Sequence, residues 1–235
     1  MKHLINILLL VVPFVSVTAQ KTIDQGYVKM EITEATSDDP QMAMGLEMLK
    51  GSMAEIFFIE GKYKTTMNMM GGMIKMDNLV DTKTSKMDLL FDAMGSKMWV
   101  DTNLDEAKKN KPAQADMEDF KVEYNRDETK EILGYKAFKA TITMPGSADM
   151  KVEGWVTDQI KTDANIIQGM EDLKLEGFPL EFSMINPQMR MTFKATDIKD
   201  SVDAGVFELK TGGYQKMTME EFSKQMGAMG GGMGF

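Results

Sequence analysis

The feature that most constrains this chain is a hydrophobic period of two. In GYVKMEIT, Val28, Met30 and Ile32 alternate with Lys29, Glu31 and Thr33. Phe138, Ala140, Ile142 and Met144 alternate with Lys139, Thr141 and Thr143 in the same way, and Met189, Met191, Phe193 and Ala195 alternate with Arg190, Thr192 and Lys194. Successive side chains of a strand point to opposite faces, so each run has one oily face and one wet face. Further strand-like runs fall near 54–59, 62–70, 73–81, 86–91, 97–101, 120–126, 150–157 and 179–184. The short EGK, GG and GS turns between them predict antiparallel meanders, because parallel strands need long crossovers. Half-oily strands must cover one face. The expected fold is mainly β (α+β), a curved antiparallel sheet of about ten strands with helices over its apolar face.

Three segments carry a helical period. Met42, Leu46, Leu49 and Met53 fall on one face of a helix opened by Asp38, Asp39 and Pro40. Ile166, Ile167, Met170 and Leu173 repeat the pattern near 163–174. In MTMEEF, Thr218 with Glu221 makes a capping box, and Met217 with Phe222 a hydrophobic staple, for a helix running to about Gly227. The polar stretch Leu104 to Asp119 reads as a loop or partly helical excursion.

Composition limits the chemistry. Residues 1–20, MKHLINILLLVVPFVSVTAQ, form a basic start, a short apolar run and small residues at Val17 and Ala19, which is a secretory signal cut after Ala19 or Gln20. The apolar run is too short for a bilayer span and no longer one follows. The chain has no cysteine, and its single histidine, His3, lies within the signal. That combination removes Cys-His and Ser-His-Asp nucleophiles, imidazole bases and the usual zinc sites. It also removes disulfides, so stability must come from packing. The formal charge is -9, and no basic face with stacking aromatics appears, which argues against nucleic acid as a partner. The layout expected is a signal over 1–20, one domain over 21–226 and a glycine- and methionine-rich tail over 227–235, in a periplasmic or outer-envelope protein that does not span the membrane.

The chain holds 26 methionines, five of them in MNMMGGMIKM, Met67 to Met76. If Gly71-Gly72 is a two-residue hairpin turn, Met70 faces Met73, Met69 faces Ile74, Asn68 faces Lys75 and Met67 faces Met76. Met67, Met69, Ile74 and Met76 then share an apolar face, and Thr66, Asn68, Lys75 and Asp77 a polar one. Two readings of the sulfurs compete. Soft thioethers select Cu(I) or Ag(I), and Met67, Met69 and Met76 stand close enough across two strands to converge on such an ion. Methionine also lines irregular apolar surfaces well, and its spread over nearly every strand, with no His or Cys beside it, favours that reading. No cofactor site is read.

No acid pair stands out as a glycosidase would require, and no Asp/Asn-rich loop matches a calcium site. The charge runs DEAKKNK, ADMED and TDQIKTD read as solvated faces. Trp99 and Trp155 fall on the face opposite their apolar neighbours, where each is either an exposed anchor or a residue covered by a loop or helix.

The second half carries a series of short motifs: ETKEILGYKAFKATI from Glu128, KVEGWVTDQI from Lys151, LEGFPLEFSM from Leu175 and VFELKTGGYQKMT from Val206. The series resembles a family of uncharacterised exported bacterial proteins of the Bacteroidota type, a domain of unknown function similar in fold to the lipoprotein carriers LolA, LolB and LppX. The resemblance implies an incompletely closed sheet whose helix-covered concave face leaves an apolar pocket for acyl chains. It implies no catalytic residues. The motif residues read as structural, with glycines for turns and Tyr135 and Trp155 for packing. LolA-type carriers hold their lids with an arginine, and no motif assigns Arg126 or Arg190 that part. The combined expectation is a non-enzymatic binder of a lipid or other apolar molecule, its pocket lined by Met67, Met69, Ile74, Met76, Phe138, Ile142, Met191 and Phe193. Soft-metal binding and a ligand-free structural role are the alternatives.

Overall fold

A computed structural model describes residues 21–109, 120–143, 150–164, 166, 173 and 175–228. The stretch expected to be a secretory signal, the end of the expected tail and most of the helix expected near 163–174 lie outside these residues. Twelve strands form one sheet: β1 (Gly26–Ser37), β2 (Met53–Ile59), β3 (Lys62–Met69), β4 (Ile74–Asp81), β5 (Lys86–Ala93), β6 (Ser96–Asn103), β7 (Lys121–Ile132), β8 (Tyr135–Thr143), β9 (Lys151–Thr157), β10 (Phe178–Asn186), β11 (Met189–Lys199) and β12 (Gln215–Met217). Their order is β12-β6-β5-β4-β3-β2-β1-β11-β10-β9-β8-β7, so the sheet is open, with β12 and β7 at its two edges. All neighbours are antiparallel except β12, which returns parallel to β6. The expected architecture holds, with about two more strands than the alternation suggests.

The Gly-Gly hairpin has the expected register: Met67 faces Met76, Asn68 faces Lys75 and Met69 faces Ile74. Gly71 and Gly72 have φ of 66° and 93°, which a Cβ would strain, and the Met73 N–H donates to the Met70 carbonyl at 3.4 Å across them.

Helix α1 (Pro40–Glu47) starts where expected, with the Asp39 carboxylate accepting from the Gln41 and Met42 N–H groups. It is shorter than the periodicity suggests, because Met53 is drawn into β2 opposite Glu31 and Asn68. Leu46 is its buried residue, against Ile32 and Ala35, while Met42 faces outward. Helix α2 (Leu104–Lys109) begins the polar excursion. Helix α3 (Met219–Ala228) has the capping box: Glu221 N–H donates to Thr218 Oγ1 at 3.2 Å, and Thr218 N–H to the Glu221 carboxylate at 2.8 Å. Phe222, Met219 and Met226 of α3 pack with Met217, Phe91, Met98 and Val100.

Alternation gives the sheet two unlike faces. One is apolar and carries α1 and α3. The other is a lattice of cross-strand ion pairs, including Lys62–Asp81, Lys64–Asp77, Lys86–Asp101 and Lys216–Asp101. Trp99 and Trp155 lie on this polar face, half-buried, each with a lysine ammonium 4.6 Å from its ring centre, Lys216 over Trp99 and Lys130 over Trp155. Trp99 also donates its indole N–H to Asp88.

Several of the carboxylates are held below their ordinary values: Asp101 by a hydrogen bond from Lys216, Glu153 by one from Lys151, and Asp81 by the Thr84 backbone N–H. A carboxylate whose folded-state value is depressed binds fewer protons when folded than when unfolded, so it stabilises the fold above its unfolded value. Those unfolded values are 3.8 for aspartate and 4.5 for glutamate. Urea midpoints are therefore expected to be level from neutral pH to about 5 and to fall progressively below about 4 as these groups protonate. Added salt at neutral pH is expected to change them only slightly, because exposed pairs contribute little each.

Candidate functional site

The apolar face is best followed along one row of directly opposed residues. Ala195, Met30, Ala54, Met67, Met76, Phe91 and Met98 face one another in turn across seven strands, from β11 to β6. The ends of this row are sealed: Ala195, Met30, Phe91 and Met98 are at most 2% exposed. The middle is not, since Ala54, Met67 and Met76 are all half-buried.

The cause lies in how the face is divided. One core, with Val28, Met30, Ile56 and Phe58, gathers around β1, β2 and β8 to β10. A second core, with Phe91, Met98 and Val100, lies beneath α3. The Met67 pair stands at the seam between them. The half-buried strip follows β3 and β4, through Met69 toward the hairpin tip, and its inner end is bounded by Phe58 and Val80, which are 0% and 1% exposed.

At its outer end the strip meets a rim of exposed methionines. The β1–β2, β3–β4 and β5–β6 connections share one end of the sheet. They carry Met42, Met44 and Met48 around α1, Met73 at one hairpin tip and Met94 at another, the last 82% exposed. The two tips are joined, with the Met94 N–H donating to the Met73 carbonyl at 2.9 Å. Leu133 is the one other large apolar side chain this exposed among the described residues, and it lies at the opposite end.

The eight residues expected to line a pocket are spread over this face and beyond it. Met69, Ile74 and Met76 belong to the core under α3, and Ile142 to the larger core. Met191 packs near α1 with Ile32 and Leu46, and Phe193 touches both that group and the larger core. Met67 sits at the seam, opposite Met76 and Ala54. Phe138 is apart, in a small cluster with Ala140, Val156 and Tyr124. The reason is a pair of register shifts, between Asn125 and Thr129 in β7 and between Pro179 and Glu181 in β10. Such bulges bend and twist a strand, and here they turn the lower corner of the sheet.

That corner holds a hollow of about 170 Å³ lined by Arg126, Thr129, Lys136, Phe138, Asp158 and Gln159, which the alternation does not announce. The Arg126 guanidinium lies 4.1 Å from the Phe138 ring centre and pairs with Asp158 at 2.7 Å and Glu176 at 3.1 Å. It thereby ties β7 to both ends of the segment between β9 and β10. Thr157 and Gln159 work beside it as structural polar groups: Thr157 Oγ1 donates to the Lys136 carbonyl, and Gln159 accepts from Lys136 N–H and donates to the Lys21 carbonyl. The lone arginine near GYK and WVTDQ was the available signal for this corner.

Among the described residues no three His, Cys, Asp or Glu side chains are placed to hold a metal ion, and no helix is long and apolar enough to cross a membrane.

No family model matches the chain, and no curated protein matches it. Among solved structures it is similar to the lipoprotein LppX of Mycobacterium tuberculosis, at 10% identity over 77% of this chain and 89% of that one, with a TM-score of 0.36. It is also similar to the MucA/MucB complex of Pseudomonas aeruginosa, at 11% identity over 80% of this chain and 56% of that one, with a TM-score of 0.46. A third is an outer membrane lipoprotein-sorting protein domain from Vibrio parahaemolyticus, at 11% identity over 78% and 89%, with a TM-score of 0.34. The fold described above rests on the chain's own register and burial.

Proposed function

We propose that this is an exported, non-enzymatic envelope protein that holds a lipid or acyl chain against the methionine wall of its apolar face. Met67, Met69, Ile74 and Met76 form the centre of the lining, with Met191 and Phe193 on β11, beyond β2 and β1, and Ile142 and Phe138 further along the sheet on β8. The observation that carries this reading is the row from Ala195 to Met98, sealed at both ends and half-buried in its middle. Water-exposed apolar surface of this kind is stabilised by an apolar occupant, and methionine adapts to one without a fixed shape. The rim of exposed methionines gives the chain of the ligand a continuous apolar path to the outside.

Native mass spectrometry of protein purified from its own envelope tests this. The expected spectrum shows the mature polypeptide with an added lipid mass. A copper adduct in its place favours the thioether site, and the bare polypeptide contradicts the binding function. Changing Met67, Met69 and Met76 to Leu separates the first two outcomes, because leucine preserves apolar burial but removes the sulfur.

A further inference from the structure

Of the six large apolar side chains exposed among the described residues, five are the methionines at one end of the sheet. Single exposed apolar residues are ordinary, whereas a row of them marks a contact surface. Met42, Met44 and Met48 come from the β1–β2 connection, Met73 and Met94 from the tips of the β3–β4 and β5–β6 hairpins. Hydrogen bonds stitch these three connections into a ridge. Ser52 N–H donates to the Leu49 carbonyl just past α1, Met70 N–H donates to Ser52 Oγ at 3.4 Å, and Met94 N–H donates to the Met73 carbonyl. The ridge crosses the strands from β1 to β6, five spacings or about 24 Å. Met94 is also held there against its own preference. With Gly95 it forms a two-residue turn between Ala93 and Ser96, at φ of 51° and 91°. Positive φ strains a long side chain, and asparagine before glycine suits such a turn best. Leu133 repeats the geometry with Gly134, away from the other five.

We propose that the methionine ridge is a docking surface for a zwitterionic lipid bilayer, its thioethers entering the headgroup region. Two features select this occupant. The three connections hold no Trp, Tyr or Phe, and aromatic anchors dominate interfaces between proteins. Unbranched thioethers on separate tips suit a fluid surface that has no fixed shape of its own. The second feature is charge. Within two residues of these connections, and of the β10–β11 turn beside them, Asp38, Asp39, Glu47 and Asp92 are matched by Lys50, Lys75, Lys97 and Arg190. The end that carries the ridge is thus neutral in a chain whose formal charge is -9. It meets a zwitterionic surface without repulsion, while an anionic one repels the rest of the molecule. The inference stands apart from the binding function proposed above, because the ridge docks whether or not the strip behind it holds a chain.

Co-sedimentation with phosphatidylcholine vesicles is the direct test. The protein is expected to partition onto them, to stay bound when salt is raised, and to bind less when half of the lipid is phosphatidylglycerol. Met44→Gln and Met94→Asn are each expected to lower the partition coefficient about threefold, and together about tenfold. Asparagine suits the Met94 turn, so Met94→Asn should melt at or above the wild-type temperature, which separates lost docking from lost folding. Leu133→Asn makes the same change in the same turn geometry at the opposite end and should leave partition unaltered. No partition onto the vesicles, variants that bind as the wild type does, or an equal loss in Leu133→Asn would each overturn the docking surface. So would a concentration-dependent dimer in analytical ultracentrifugation that Met94→Asn abolishes, since the ridge then receives a second copy of the chain. None of these results bears on the lipid adduct in the native mass spectrum, which tests the wall by itself.

Discussion

Gly154→Val is expected to leave little folded protein. A Cβ at this position in β9 would lie 2.6 Å from the Glu181 carbonyl oxygen, 2.9 Å from Phe182 Cβ and 3.1 Å from its Cα. Two of these three atoms belong to the backbone of β10, so no side-chain rotation relieves the contact, and valine adds two further carbons. Gly154 pairs with Phe182 on one side and Ala140 on the other, deep within the sheet. Phe182 in turn stacks on Phe193, with ring centres 4.7 Å apart and planes 12° from parallel. Displacing β10 therefore disturbs the wall as well as the core. Overpacking a tight core position costs about 1–3 kcal/mol and more where backbone must move, so a loss of at least about 3 kcal/mol is expected. That is a large part of the total of about 5–15 kcal/mol typical of a folded protein. Soluble yield and a urea unfolding curve measure it. Gly45→Ala is the control, since nothing lies within 4 Å of a Cβ there and α1 is helical: it should be neutral or stabilise by up to about 1 kcal/mol. A Gly154→Val protein with wild-type stability would show that β9 and β10 do not approach as closely as described.

Phe91→Ala is expected to lower stability by about 3–5 kcal/mol and to loosen α3. Phe91 is 2% exposed, stands between Met76 and Met98 in the row, and meets Phe222 edge to face at a centroid distance of 5.8 Å. Its removal empties the space where the helix is anchored, and the thioethers on either side do not refill it. Denaturant unfolding gives the loss, and hydrogen exchange of the amides of α3 reports the docking. Exchange in α3 should rise well beyond that in β8 and β9. A loss below about 1 kcal/mol, with α3 protected as before, would mean that the helix is held by something other than this aromatic pair.

Much of this architecture was legible from local chemistry. Thr218 and Glu221 are three residues apart ahead of an apolar run, and that spacing defines a cap wherever it occurs. Gly71-Gly72 fixed the register of its hairpin, because two residues with positive φ allow only a tight turn and every later pair follows from it. The faces of β3 and β4 follow alternation in the same way, and so does β1 from Val28 to Ile32, where a register shift against β11 brings Ala35 to the core. What the sequence concealed depends on contacts between distant segments. The bulge in β10 leaves the apolar and polar rhythm of Phe178 to Met184 unbroken, and the one in β7 falls in a wholly polar run, so Phe138 and Ile142 read as neighbours on one wall and pack in different clusters. Helix α1 stops early because β1 and β3 claim Met53, a competition between pairing and helical period that lies outside the segment itself. The same holds for the candidate site. Alternation placed Met67, Met69, Ile74 and Met76 together, whereas the seam that leaves Met67 and Met76 half-buried exists only once two separate cores have formed on either side.

The central claim is that an acyl chain lies along the seam, and methionine methyl groups report on it directly. In protein labelled at the methionine methyls, with resonances assigned by single Met→Leu changes, titration with a long-chain amide should shift the signals of Met67, Met69 and Met76 first and most. The signals of Met44 on α1, exposed at the rim, should move less, and that of Met98, sealed under α3, should stay in place. A titration that moves only the rim methionines, or none, would contradict binding at the wall.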